Sequence, residues 1–156
     1  MTRIAIKGTA LLAALTLLVS GAMAAPVRTP HVEAELVAER TAIEPGRPLT
    51  VALRLQMARG WHTYWRNPGD SGLPTKVEWK LPEGYAAGAI QWPAPERLPA
   101  GPLTNFGYEG EVLLLTDIRV PANAVGPVTI AARAEWLVCN PERSIPEEAV
   151  EPLPRL

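Results

Sequence analysis

The stretch Leu49-Thr50-Val51-Ala52-Leu53-Arg54-Leu55-Gln56-Met57 decides the fold. Leu49, Val51, Leu53, Leu55 and Met57 take every second position, with Thr50, Ala52, Arg54 and Gln56 between them. Successive side chains of a strand point to opposite faces, so this alternation predicts a β-strand with one face against a core. Glu44-Pro45-Gly46 reads as a turn before it, and Arg59-Gly60 closes it.

The same period extends outward from that strand. Val32, Ala34, Leu36 and Ala38 predict a strand over residues 31–38, and Val77 with Trp79 predicts one over residues 75–81. A short strand is expected over residues 89–92. Val112, Leu114, Ile118 and Val120 mark a strand over residues 111–120, and Val128, Ile130, Ala132, Ala134, Trp136 and Val138 mark one over residues 127–138. Residues 67–74 and 105–110 read as loops from their turn formers and glycines. Residues 93–102 read as irregular, because proline removes donors that a central strand needs. The tail, residues 141–156, rich in Pro and Glu, reads as irregular too. All 17 prolines lie beyond residue 24, a density that forbids long helices. About seven short strands with turns between them predict an all-β, immunoglobulin-like β-sandwich. Its core should include Val51, Leu53, Leu55, Val77, Val112, Ile118, Ile130 and Trp136.

The amino terminus is of a different kind. Arg3 and Lys7 precede an apolar run over residues 10–19, and Ala22-Met23-Ala24 follows. A basic start, a short apolar run and an A-x-A pattern predict a signal peptide over residues 1–24, cleaved after Ala24, and hence export to the periplasm. Residues 25–156 then form a single domain. They hold 13 basic against 16 acidic residues, the first 24 having two basic and no acidic ones. A net charge of −3 with no basic stripe gives no case for nucleic acid.

Several residues are candidates for chemistry. Trp61 and Trp65 could share a strand face as a stacking platform, although large aromatics more often anchor a core. His62, Asp70 and Ser71 supply the residue types of a hydrolase triad without a nucleophile-elbow context. Met57, His62 and Cys139 could suit copper, but they lie in separate segments without ligand spacing. Cys139 is the single cysteine of the chain. In an exported domain that means a reactive thiol, an intermolecular bond or a lost partner.

Three segments together carry a resemblance. Residues 60–72 (GWHTYWRNPGDSG), residues 105–111 (NFGYEGE), and Trp136-Leu137-Val138-Cys139 with Ile145-Pro146-Glu147-Glu148 occur in that order. Over residues 31–149 the chain resembles the amino-terminal periplasmic domain of the DsbD-type thiol:disulfide interchange proteins, especially the ScsB-like branch. The resemblance implies an immunoglobulin-like fold and a protein-disulfide reductase type of activity. It also implies exchange between a membrane-embedded electron-donor domain and periplasmic disulfide-handling proteins. It calls for no cofactor, no metal and no small-molecule substrate. Cys139 matches one of the family's two cysteines, and Phe106 and Tyr108 match its cap loop. Ser144 stands where the second cysteine belongs. One thiol forms only mixed disulfides, so the resemblance leaves two expectations: a redox-impaired interchange domain, or a non-catalytic interaction module of the same fold.

Overall fold

The computed structural model describes residues 25–153 and residue 156. The expected signal peptide, residues 1–24, lies outside them. Eleven strands are present among the described residues: β1 (Val27–Arg28), β2 (Val32–Ala38), β3 (Leu49–Met57), β4 (His62–Gly69), β5 (Lys76–Lys80), β6 (Ala86–Ala87), β7 (Glu96–Ala100), β8 (Leu103–Glu109), β9 (Glu111–Arg119), β10 (Ala131–Cys139) and β11 (Ser144–Pro152). They form two antiparallel sheets. One has the order β1-β2-β3-β9-β6; the other runs β11-β10-β4-β8-β7, with β5 also on β10. The fold is an all-β, immunoglobulin-like sandwich.

The alternation that predicted β3 also builds the core. Leu49, Val51, Leu53, Leu55 and Met57 are all buried, and they meet Ala132, Ala134, Trp136 and Val138 of β10 across the interior. Of the eight residues expected in the core, seven are buried and Val77 is half-buried against it. Each large aliphatic side chain removed from water contributes about 1.5–3 kcal/mol, so these facing rows dominate the drive to fold.

Five expectations about irregular segments are corrected. Asn67, Pro68 and Gly69 belong to β4, whose register on β8 shifts between Tyr64 and Gly69; that irregular stretch is where a strand tolerates proline. The short strand lies at Ala86–Ala87, and only Gln91 of residues 89–92 bridges, to Leu115. Residues 96–100 form the edge strand β7, where Pro99 has no further ladder to serve. Residues 105–109, expected as a loop, are the second half of β8. The tail holds β11, paired along its whole length with β10, while β10 itself starts only at Ala131.

β11 was hidden because its inward positions are not all apolar. Glu147, Ala149 and Glu151 face inward and are buried. Glu147 meets Nδ1 of His31 at 2.7 Å and accepts a hydrogen bond from the Thr29 hydroxyl. The His31 ring stacks on Trp61 with centroids 3.7 Å apart. Glu151 accepts the Val27 amide at 2.8 Å. Both carboxylates thus fasten the start of the domain to the sheet that holds Cys139. Burial raises the Glu151 carboxyl above its ordinary value, with the Val27 bond opposing and Glu35 adding to the rise.

Candidate functional site

Cys139 ends β10, and residues 140–143 turn the chain into β11. Asn140 shapes that turn, its Oδ1 accepting the amides of Glu142 at 2.9 Å and Arg143 at 2.7 Å. The Asn140 amide donates to the Arg143 carbonyl at 2.9 Å. Cys139 and Ser144 are the next pair of the ladder. Because bonded and non-bonded pairs alternate in antiparallel strands, they form a non-hydrogen-bonded pair, the closer kind, with Cα atoms about 4.5 Å apart. The Cys139 thiol donates to the Ser144 hydroxyl at 2.9 Å. Cys139 is 2% exposed, whereas Ser144 is open to solvent.

On its other side Cys139 pairs with His62 of β4, and His62 in turn pairs with Glu109 of β8. Directly opposed residues share a face, so Glu109, His62, Cys139 and Ser144 all stand on the outer face of the sheet, away from the core. They line a groove of about 900 Å³ together with Tyr64, Leu98 and Asn105. The His62 Nε2 is 3.3 Å from the Tyr64 hydroxyl, and the two rings meet edge-on. Burial lowers the His62 value below that of an ordinary histidine, and the Glu109 charge opposes the drop. Burial also holds the Tyr64 hydroxyl far above its ordinary value, and the neighbouring Cys139 adds to the rise.

The loop over residues 70–74 fixes Tyr64. Thr104 donates its amide to the Asp70 carboxylate at 2.7 Å, and Ser71 donates its amide and hydroxyl to the buried Asn105 side chain at 3.0 and 3.1 Å. These bonds lay Gly72 on the Tyr64 ring so closely that a Cβ there would overlap it.

The other sequence candidates fall in different places. Asp70 and Ser71 are occupied with Thr104 and Asn105, and His62 with Tyr64, so no triad is assembled from them. The Met57 sulfur lies in the core, 3.8 Å from the Thr63 hydroxyl, on the opposite face from Cys139. Among the described residues no group of three His, Cys, Asp or Glu side chains could hold a metal. Trp61 and Trp65 pack against the core as anchors. Tyr108 points into the core, where its hydroxyl donates to the Pro93 carbonyl at 2.9 Å and burial pushes it up to about 12, against the pull of Arg66. Phe106, two residues away on the same face of β8, is not among the residues lining the groove. The expected cap residues therefore sit on a strand and turn from the thiol, and the aromatic beside Cys139 is Tyr64. Sequence reasoning missed Tyr64 and Glu109; the signal was present in the period-two spacing of His62 and Tyr64.

Cys139 is thus an outward thiol at a hairpin end of an immunoglobulin-like sandwich. Residues 33–147 match the family described as thiol:disulfide interchange protein DsbD, N-terminal, and the chain belongs to that family. Among solved structures, the N-terminal periplasmic domain of ScsB from Proteus mirabilis is similar, with a TM-score of 0.67 at 20% identity. The match covers 86% of this chain and 52% of that one, so this chain spans about half the length of that relative. The GAE domain of GGA2p from Saccharomyces cerevisiae matches with a TM-score of 0.49 at 14% identity, over 86% of this chain and all of that one. No curated protein matches the chain.

Proposed function

We propose that this chain is a periplasmic, single-thiol interchange domain in which Cys139 forms mixed disulfides. The thiolate attacks one sulfur of an incoming disulfide, that bond breaks, and the second sulfur leaves as a thiolate. An outside thiol must then release Cys139 by the reverse attack, because Ser144 offers no sulfur. The observation that carries this reading is the 2.9 Å contact of Cys139 with Ser144 on the wall of an open groove. The partners proposed from the family are periplasmic disulfide-handling proteins and a membrane-embedded electron-donor domain. Residues 1–24 are proposed as the signal peptide that delivers the domain there.

Incubation with oxidised glutathione, read by intact mass, tests the proposal. One glutathione adduct is expected, located at Cys139, removed by dithiothreitol and lost in Cys139→Ala. A folded protein that takes up no adduct would overturn it and leave the non-catalytic interaction module, the reading that Ser144 favours.

A further inference from the structure

The outer face that carries the thiol continues past it into a second, apolar pocket. Leu137 stands two residues before Cys139 on β10, and its register partner Pro146 stands two residues after Ser144 on β11. Side chains two apart on a strand share a face, about 6.4–6.8 Å from one another. Alongside Leu137 the sheet loses a strand. β4 pairs with β10 only at Cys139, and β5 takes up the pairing at Glu135, so Leu137 has no register partner on that side. Leu73 and Pro74, from the segment that joins those two strands, form the wall of a pocket of about 380 Å³ that Leu137 and Pro146 also line. Leu73 is 62% exposed and Pro146 is open to solvent, so this apolar lining is uncovered.

We propose that the pocket receives one uncharged, apolar side chain of the disulfide-bearing partner, two residues from the cysteine that Cys139 attacks, with the partner segment extended along β10. The spacing argues for an extended segment, because it repeats the strand's own period: with its cysteine over Cys139, its second neighbour falls over Leu137. A helix is about 10–12 Å across, too wide to reach a thiol that is 2% exposed on the wall of a groove, whereas an extended chain is slender enough. The charges argue for an uncharged side chain. Glu135 and Glu148 at the rim are both bridged by Arg133, at 3.2 and 2.5 Å, so their charges are already met within the sheet. An anchor of this kind supplies what a lone thiol lacks, a preference among disulfides that are chemically alike.

The inference rests on Cys139 being the exchanging thiol, and its test separates the two. Short peptides are made with one cysteine joined to thionitrobenzoate, and with Leu or Ser placed two residues before or after that cysteine. The Cys139 thiolate forms a disulfide with the peptide sulfur as the bond to thionitrobenzoate breaks, and the coloured thiolate released gives the rate. Leu on one side of the cysteine is expected to react about tenfold faster than Ser at the same place. Leu73→Ser and Leu137→Ser should each bring that ratio to about one. Leu73→Ser, at an exposed position, decides the matter if Leu137→Ser does not fold. Equal rates in the parent, or a Leu preference that the folded variants keep, would overturn the proposal. So would a preference for Leu three or four residues away in place of two, which is the spacing of a helix. A parent that releases no colour from any peptide, nor from the symmetrical reagent disulfide, fails at the thiol itself and sinks the interchange reading together with this inference.

Discussion

Cys139 and Ser144 face one another across the β10–β11 hairpin as a non-hydrogen-bonded pair, sulfur to oxygen 2.9 Å. The expected Cα separation of about 4.5 Å falls within the roughly 4.4–6.8 Å that a disulfide spans. Ser144→Cys should therefore form a reversible intramolecular disulfide under oxidising conditions, seen as a loss of two mass units and titratable against a glutathione buffer. A double-cysteine protein that stays reduced while folded would show that the two side chains diverge.

Gly72 makes a second prediction. Its φ is +98°, and an added Cβ would overlap the Tyr64 ring. At Gly101, with φ +62°, nothing lies within 4 Å of an added Cβ. Gly72→Ala should cost about 1–3 kcal/mol more than Gly101→Ala, the range typical of overpacking. Urea unfolding of the two variants measures the difference, and equal costs would mean that the loop gives way without disturbing Tyr64.

Glu151 predicts the sign of a pH effect. Its folded value is raised above 4.5, chiefly by burial, so the folded state binds the proton more tightly than the unfolded chain. Its stabilising contribution is complete below the unfolded value and is lost as pH rises through the raised folded value. Glu151→Gln keeps an acceptor for the Val27 amide and removes the charge. The variant should be more stable than the parent at neutral pH and lose that advantage in acid, as measured by thermal unfolding across the range.

The core was legible because apolar residues on β3, β9 and β10 keep strict period two. The site was legible as far as Cys139, Ser144 and His62, the last singled out for chemistry that the structure does not assemble. Gly107 misled the reading of β8: between two aromatics it resembles a loop glycine, yet it is a strand residue whose added Cβ would strike the Thr63 carbonyl of β4. A glycine within a strand often marks such a close approach of backbones. In β11 the buried Glu147 and Glu151 broke the apolar alternation, and their partners Thr29, His31 and Val27 lie more than a hundred residues away. The Glu109–His62–Cys139–Ser144 row joins four strands, and it exists only once the registers are set.

The division of the sheet into two faces separates what evolution can change. Val138 beside Cys139 is sealed in the core, whereas Ser144 is open to solvent and contributes nothing to the packed interior. Exposed positions usually tolerate substitution within about 0.5 kcal/mol. Serine and cysteine can therefore replace one another at this position with little resistance from the fold. The scaffold itself therefore sets no barrier between a one-thiol and a two-thiol form of this hairpin.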